Sequence, residues 1–471
     1  MNFRIGIPVE DFKRDFYGKT TDLSLYDCGD FNILKVVLDG LKVNYISKGK
    51  FKTPLFYPDF VLSLWRTIQL KRNKTNKPFP NSLAKVLIVD LSGRSEARQN
   101  NIPTSFYFQE LIDSFERKNA VHVVENFKEE DYPHEVDLRK FQALQYLPLS
   151  DSEKKVRRDL LETYHKIKHS NKFDPEELAN IKIAIQVFFT QFKIWNELLE
   201  FFPNIHEVLL EQHYHHEGLL LALRKRNIRS TEIQHGLIAP SDIFYVFPKE
   251  VESIRSRALF PDRIFVYGQY WKDVLKKGSE FAEDKIIITG DFRSKNLEPG
   301  SADDNKNIES YIGNSKVILI GGQTFISDFF SSYVSKLSAL LIGKHPDWKI
   351  IMKPHPNEKL EDYSSISALP NVLISRSNIH YLFKKANIHI SVYSTTLYDS
   401  LEYGLTNFSL DHEKFRDYTR DILADGIALP LALNDDPIDM FMAQSGRTGS
   451  LAASKVYSTF DRELFKKLIL N

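Results

Sequence analysis

The chain has 471 residues, more than one hydrophobic core normally organises, so two domains are expected. Its 63 Lys and Arg residues are balanced by 62 Asp and Glu residues, which excludes a general electrostatic attraction to nucleic acid. The single cysteine, Cys28, excludes an intrachain disulfide and a cysteine-based metal site.

Neither a bilayer-spanning segment nor a signal peptide is predicted, because no apolar run approaches about 18 residues and the N-terminus lacks an apolar core. The sequence therefore predicts a soluble cytoplasmic protein. A basic stretch at 66–77 leaves two interpretations open, a solvated surface and a peripheral contact with the inner membrane or another polyanion.

Strands and helices alternate along most of the chain, whereas the first eighty residues contain short apolar runs without a repeated unit. Before residue 300, strands are predicted at 85–90, 120–124, 208–210, 230–234, 264–267 and 286–289, and helices at 105–118, 151–170, 175–201 and 217–227. After a polar linker at 298–307, strands are predicted at 316–320, 349–352, 371–374, 388–392 and 406–410, and helices at 326–342, 378–386, 395–403 and 454–470.

This rhythm predicts an α/β fold with two Rossmann-like, doubly wound domains that face a cleft. The first comprises residues 1–300 with a helical insertion near 151–202, and the second comprises residues 301–471. Because ligands bind at the carboxyl ends of parallel strands, we expect the site in the cleft between the domains.

The segment Lys353-Pro354-His355-Pro356 follows an apolar strand of the second domain. Its prolines restrict the residues before them and hold His355 in a rigid, extended segment. A histidine in this position can donate a hydrogen bond to a phosphate oxygen. The alternative is a structural turn with a solvent-facing histidine.

A second group of polar residues, Ser394, Thr395 and Thr396, begins a predicted helix after a later strand. Free N–H groups and the positive end of the helix dipole suit a phosphate there, although such hydroxyls are often plain helix caps. Glu402, further along the helix, is a candidate for binding sugar or ribose hydroxyls, or for interaction with the helix dipole.

The run Gly321-Gly322-Gln323-Thr324 follows the first strand of the second domain. Two glycines allow the backbone to approach a ligand closely, and a simple tight turn is the alternative. The run lacks the Walker A and dinucleotide fingerprints, so it supports neither a P-loop nor an NAD site.

Two histidine-bearing segments follow strands of the first domain. His235, directly before Gly236, is a candidate acid, base or anion ligand, or else a buried, hydrogen-bonded histidine. The run 211–217 contains three histidines, but neighbouring strand residues point to opposite faces and no HExxH pattern occurs, so we predict no metal site. It is interpreted as an acceptor-binding loop with Glu217 or Glu211 as base, or as a polar surface loop.

These motifs occur in a fixed order along residues 206–411: Gln234-His235-Gly236, Tyr267-Gly268, Gly290-Asp291-Phe292-Arg293, Gly322-Gln323, Lys353-Pro354-His355-Pro356 and 391–404. The succession resembles the GT-B glycosyltransferases of bacterial capsule and lipopolysaccharide biosynthesis. It is most similar to the capsule Kdo transferases, to the bacterial sialyltransferases with a His-Pro motif, and to the teichoic-acid glycerophosphotransferases. The first 200 residues resemble no family that we can name.

The resemblance implies roles for individual residues. His355 would contact the donor phosphate, and Ser394 and Thr395 would correspond to paired hydroxyls that hold the same phosphate. Arg293 corresponds to the arginine of a Gly-x-Pro-Arg motif, although Phe292 replaces the proline. The donor-binding set is completed by Gln323, Lys353, Thr396 and Glu402.

The general base is not identified by the resemblance, because the acidic pair followed by glycine that sialyltransferases use is missing. Glu217, His235 and Asp242 are the candidates. The second domain would bind the nucleotide sugar, and the first would bind the acceptor.

Four functions remain open. The main prediction is metal-independent transfer of a sugar from a nucleotide-activated donor, with a CMP-sugar favoured, to a surface-glycan or lipid-linked acceptor. The alternatives are transfer of a polyol phosphate from a CDP-linked donor, epimerisation of a nucleotide sugar, and non-catalytic binding of a glycan or nucleotide within an assembly complex. No cofactor is expected, because the nucleotide sugar is itself a substrate.

Overall fold

The computed structural model describes residues 18–46, 84–90, 96–99, 102–105, 108–115, 120–124, 135–239, 244–245, 247, 249–278, 281–293, 302–324, 326–356, 358–443 and 452–470. Its strands are β1 Val86–Asp90, β2 Glu96–Gln99, β3 Ile102–Ser105, β4 Ala120–Val124, β5 Glu135–Asp137, β6 Glu207–Leu210, β7 Arg229–Ile233, β8 Arg263–Val266, β9 Ile286–Ile288, β10 Lys316–Gly321, β11 Trp348–Lys353, β12 Val372–Ile374, β13 Ile388–Ser391, β14 Thr406–Leu410 and β15 Leu429–Leu431.

The α-helices are α1 Leu34–Ile46, α2 Gln109–Ile112, α3 Asp151–His169, α4 Pro175–Leu198, α5 Glu217–Lys225, α6 Gln269–Gly278, α7 Ala302–Ile312, α8 Ser327–Lys344, α9 Ile379–Phe383, α10 Thr396–Asp399, α11 Arg416–Ala424, α12 Pro437–Ala443, α13 Ala453–Val456 and α14 Arg462–Leu470. The longer 3-10 helices are Leu138–Tyr146, Lys249–Ile254, Leu360–Ile366 and Ser400–Tyr403.

Two parallel sheets organise the molecule. The first has seven strands in the order β5-β4-β1-β6-β7-β8-β9, and the second has six in the order β12-β11-β10-β13-β14-β15. Both orders start from a central strand, wind outward to one edge, and then return to wind toward the other. This is the doubly wound Rossmann pattern. The prediction of an α/β fold with two such domains is therefore confirmed.

Both faces of each sheet are covered, which explains the unbroken apolar runs of the central strands. In β1, Leu87 and Val89 pack in one core, whereas Val86 and Ile88 pack in the core on the opposite face. In the second sheet, Ile318 and Ile320 of β10 belong to one core, and Val317 and Leu319 belong to the other. The strands read as continuous rather than alternating because neither face meets water.

The helical insertion predicted near 151–202 consists of α3 and α4. Ser150 and Glu153 form a capping box at the start of α3, and Asp174 and Glu177 form another at the start of α4. Each helix begins at the residue after its cap because the cap side chain binds a backbone N–H that would otherwise lack a partner.

The last helix returns to the first sheet. On α14, Phe465 packs against Phe115 and Phe265 of the first domain, and the Arg462 guanidinium lies 2.7 Å from the Glu110 carboxylate. The chain from 452 to 470 therefore packs with the first domain, although the sequence assigned it to the second.

Two further differences concern short elements. β15 and α11 follow β14 and were not predicted, and within the described part of the predicted helix at 105–118 only the single turn of α2 is helical. None of the described helices combines the length and the apolar character that crossing a bilayer requires.

Candidate functional site

The switch point of the second sheet lies between β10 and β13, where the winding direction reverses. In doubly wound sheets this is where a crevice opens at the carboxyl ends of the strands. β10 ends at Gly321 and β13 at Ser391, whose Oγ donates to the Gly321 carbonyl at 3.0 Å. The Gln323 Oε1 accepts from the Tyr393 backbone N–H at 3.2 Å. The predicted glycine loop and hydroxyl-rich turn thus meet at this point.

Both glycines of the loop are in close contact with neighbouring elements. A Cβ on Gly321 would lie 3.2 Å from the His389 Nε2 and 3.4 Å from the Thr396 Oγ1. A Cβ on Gly322 would lie 2.8 Å from the Glu358 Oε2 and 3.1 Å from the His355 nitrogen. A side chain would be tight at Gly321 and would displace its neighbours at Gly322, because the loop passes between the His355 turn and the start of α10.

The His355 turn is held by hydrogen bonds to the Glu358 backbone and carboxylate. The His355 N–H donates to the Glu358 Oε2 at 2.8 Å, the Glu358 N–H donates to the His355 carbonyl at 2.9 Å, and the Tyr363 hydroxyl donates to the same Oε2 at 2.9 Å. The half-buried His355 side chain therefore projects from a fixed turn beside the glycine loop.

Lys353 provides the clearest electrostatic signal. It pairs with Gly321 across the parallel strands, so its side chain lies on the face of the sheet toward which a Cβ on Gly321 would point. Among the described residues this partly buried lysine forms no hydrogen bond and no ion pair. Burial, and then the neighbouring Arg376 guanidinium, lower the pKa of Lys353 to about 8. The site thus contains two cations, and neither forms an ion pair within the described residues, although the Arg376 charge also acts on the nearby Glu358 carboxylate.

Sequence reasoning missed Arg376. It lies two residues beyond β12, and its guanidinium donates to the Glu358 carbonyl. Its one detectable signal was a cation that follows a predicted strand end, next to the strand that ends at Lys353.

The three hydroxyls of the 394–396 turn have different surroundings. The Ser394 Oγ accepts from the Thr396 backbone N–H at 3.2 Å, so it acts as a cap. The Thr396 Oγ1 is buried and faces Gly321. The Thr395 Cγ2 lies 4.0 Å from the position that a Cβ on Gly236 would take. The turn therefore meets the first domain at the predicted His235-Gly236 segment.

His235 follows β7 and is half-buried. Its Nδ1 lies 2.9 Å from the Glu211 carbonyl, and its Nε2 lies 3.1 Å from the Tyr214 hydroxyl. A carbonyl only accepts, so Nδ1 carries a proton, and the Tyr214 hydroxyl is the partner of Nε2. The arrangement places an imidazole, bonded at both ring nitrogens, near the start of α10.

The other two candidates for the general base are Glu217 and Asp242. Glu217 is 4% exposed and lies 3.3 Å from the Lys35 ammonium, and burial followed by the nearby Asp39 raises its pKa to about 7. This position corrects the expectation that Glu217 is open to an acceptor, since its carboxylate is enclosed by protein. Asp242 lies outside the described residues.

Arg293 is also placed differently from the prediction. It is 5% exposed, donates to Asp291 and Asp399 at 2.9 Å each, and lies between the Tyr267 and Tyr457 rings. With two carboxylates already bound, this guanidinium joins the domains and is not available to a donor phosphate.

Glu402 lies on the 3-10 turn after α10 and is exposed. With Arg293 it lines a cavity of about 410 Å³ beside the C-terminal segment 457–462. The other predicted donor residues do not line this cavity, so these two are separated from the switch-point crevice.

One group of described residues has metal-ligand spacing: His345, Asp436 and Asp439. It lies next to the start of β11, at the amino ends of the strands and therefore opposite the crevice. The Lys344 ammonium makes ion pairs with both carboxylates and supplies the positive charge there.

Comparisons with known proteins were made on sequence and on structure. No protein-family model matches the chain, and no curated protein matches it significantly in sequence. Solved structures with similar architecture include the UDP-GlcNAc 2-epimerase from Neisseria meningitidis bound to UDP-GlcNAc, with 16% identity, a TM-score of 0.48, and coverage of 82% of this chain and 99% of that one.

Two other solved structures show the same level of similarity. The UDP-GlcNAc 2-epimerase from Methanocaldococcus jannaschii has 12% identity and a TM-score of 0.49 over 82% of this chain and all of that one. A glycosyltransferase from Rickettsia africae has 14% identity and a TM-score of 0.41 over 83% of this chain and 94% of that one. At these values the similarities carry no argument about what this chain binds.

Proposed function

We propose that this protein is an enzyme that binds a nucleotide-activated sugar in the crevice between β10 and β13. The sugar would be transferred to a glycan acceptor that approaches from the His235 side. Lys353 carries this proposal, because a partly buried ammonium without a counter-ion is unfavourable until an anion binds beside it.

The charge of the crevice favours a nucleoside diphosphate over a monophosphate. A diphosphate that links nucleoside and sugar carries two negative charges, whereas the phosphate of a CMP-sugar carries one. Lys353 and Arg376 supply two positive charges. We therefore propose a nucleoside diphosphate sugar as donor, in place of the CMP-sugar that the sequence favoured.

The chemistry follows from the two walls of the site. When the bond between sugar and diphosphate breaks, negative charge grows on the leaving group, and fixed cations stabilise it. His355 and the Ser394 hydroxyl lie beside the glycine loop and would add hydrogen bonds. Across the crevice, the His235 Nε2 would take the proton of the acceptor hydroxyl once that hydroxyl displaces the Tyr214 hydroxyl from this nitrogen.

A second candidate is epimerisation of the bound sugar. The cation pair would hold the diphosphate while its bond to the sugar breaks and until the same bond forms again. His235 and the Tyr214 hydroxyl, which are in contact, offer two groups of which one can remove a proton from a sugar carbon and the other return one. This reaction needs no acceptor glycan, which separates it from transfer.

The test begins with binding. Thermal unfolding is followed with UDP, GDP, CDP and CMP, because a ligand that binds only the folded protein raises its stability. We expect a diphosphate to stabilise the wild-type protein and to leave the Lys353→Met variant unchanged. Stabilisation by none of the four nucleotides, or equal stabilisation of the variant, would refute the proposed site.

Turnover then distinguishes the reactions. The sugar form of the preferred nucleotide is incubated with and without a panel of glycan acceptors, in the presence and absence of EDTA, and the products are identified by mass spectrometry and NMR. Acceptor-dependent release of the nucleotide supports transfer, and a new sugar epimer without acceptor supports epimerisation. A phosphodiester product with release of CMP, or binding without turnover, would contradict both.

A further inference from the structure

A second histidine lies directly beneath the crevice. His389 is on β13, fully buried, with its ring 5.3 Å from the Phe383 ring. It pairs in register with Leu319, two residues before Gly321 on β10, so it shares the face of the sheet from which Lys353 projects.

The proton of His389 can be assigned from its partner. The His389 Nδ1 lies 3.1 Å from the Asn407 Oδ1. The Asn407 Nδ2 donates to the carbonyls of Leu397 and Ile427 at 2.6 and 3.2 Å, which fixes the amide so that Oδ1 faces the ring. Nδ1 must therefore carry the proton, and Nε2 presents a bare lone pair. Burial also lowers the pKa of His389 to about 4, so the ring is neutral near pH 7.

Two buried polar atoms converge on Gly321. The His389 Nε2 and the Thr396 Oγ1 are both enclosed, and neither has a hydrogen-bond partner in the part of the chain that the structure describes. They lie 3.2 and 3.4 Å from the point where a Cβ on Gly321 would stand. One atom can only accept a hydrogen bond and the other can donate. A buried polar pair of this kind normally bonds directly or through an enclosed water.

We infer that His389 is a positioning residue for the nucleotide site, with its Nε2 linked to the Thr396 hydroxyl through one enclosed water that donates to Nε2 and accepts from the hydroxyl. This inference rests on the proposed function. Thr396 is then held at two points, since its backbone N–H already donates to the Ser394 Oγ at 3.2 Å. The turn is fixed before the ligand arrives, which lowers the entropy that binding must overcome.

The consequence for the ligand is a division of roles among the three hydroxyls. The Thr396 hydroxyl points inward and supports the turn, so it does not bind the donor. The hydroxyls of Ser394 and Thr395 remain for the ligand. A Cβ at Gly321 would crowd the space between the His389 ring and Thr396.

The test is a double-mutant cycle. His389→Phe removes the acceptor but keeps a ring of similar size, and Thr396→Val removes the hydroxyl but keeps the branched shape. Urea unfolding midpoints are measured without ligand, and UDP affinity is measured by calorimetry. We expect each single variant to weaken UDP binding about tenfold and the double variant to be no weaker than either, because contacting residues are coupled by this order.

Thr396→Ser is the matched control. It keeps the hydroxyl, so we expect UDP affinity within about twofold of the wild type, a rescue that a loss of packing alone would not show. Additive effects of the two substitutions on both the unfolding midpoint and UDP affinity would overturn the inference. If His389→Phe fails to fold, a Thr396→Val variant that binds UDP like the wild type overturns it equally.

The inference and the proposed function fail in different ways. A wild-type protein that binds no nucleotide refutes the proposed function and the binding role of His389 together. Coupled unfolding midpoints would in that case still establish the contact between His389 and Thr396. Strong UDP binding with additive effects refutes the inference alone.

Discussion

Replacing Lys353 by methionine should stabilise the ligand-free protein and abolish its response to nucleotide. Methionine keeps a long, unbranched side chain but removes the charge. Because the described structure gives the Lys353 ammonium no acidic partner, its charge opposes folding until an anion binds. A residue that weakens the folded state while serving the ligand is expected at a functional site.

The magnitude follows from the pKa. The fall of the Lys353 pKa from its ordinary 10.5 to about 8 corresponds to on the order of 3 kcal/mol, an upper limit because the side chain keeps some contact with water. Below pH 8 both the folded and the unfolded protein carry the charge, and the full penalty is present. Between pH 8 and 10.5 the folded protein has released the proton and the unfolded protein has not, so wild-type stability rises with pH.

Urea unfolding of the wild type and of Lys353→Met at pH 7 and pH 10 measures both effects. We expect the variant to be more stable at pH 7, and the gap between the two proteins to narrow at pH 10. Lys349→Met is the matched control, since Lys349 lies four residues earlier on the same face of β11 and its ammonium donates to the Tyr311 carbonyl. That control should gain no stability and should still bind nucleotide. A Lys353→Met protein that is less stable than the wild type, with nucleotide binding intact, would refute the reasoning.

Three further predictions concern other parts of the site. Arg293→Met leaves two buried carboxylates without their cation, so we expect a loss of about 3–5 kcal/mol in urea unfolding, and a loss below about 1 kcal/mol would contradict the bridging role. His235→Gln should lower kcat by about 10²–10⁴ and leave the nucleotide Kd unchanged, whereas a parallel loss of affinity would remove the assignment as base. Gly322→Ala should destabilise the protein strongly because its Cβ would lie 2.8 Å from a carboxylate oxygen. Gly236→Ala should be tolerated because the nearest atom would lie 4.0 Å from its Cβ. Similar Tm values for the two variants would contradict the geometry.

The sequence predicted the sheets well because their strands carry the information locally. The runs at 86–89 and 317–320 are apolar throughout, as expected for strands covered on both faces. The elements that were missed or overextended are mostly less regular. β15 and α2 have three and four residues, too few for a periodic pattern to stand out, whereas α11 was missed although it has nine.

The site could be predicted only in part, because pairing between distant residues is not visible in one sequence. The motif around Arg293 indicated a phosphate ligand, but Asp399, 106 positions away, already neutralises it. Glu217 belongs to the histidine-rich run that suggested an acceptor-binding loop. Its carboxylate lies beside the Lys35 ammonium, which comes from the first eighty residues, where the sequence showed no clear pattern. In contrast, Lys353 was identified by its position at a strand end, which parallel topology converts directly into a place at the crevice.

The Arg293–Asp399 bridge also restricts how the two domains can separate. It lies at the far end of α10 from the hydroxyl turn, and the Tyr457 hydroxyl donates to the same carboxylate at 2.5 Å. Separating the domains here would leave a buried charge without its partner, at a cost of about 3–5 kcal/mol. We therefore expect a closure over a ligand to pivot about this bridge, with His235 and the 394–396 turn approaching each other across the crevice. Spin labels on either side of the crevice should move closer with UDP, while labels flanking the bridge keep their separation; a change at the bridge would exclude it as the pivot.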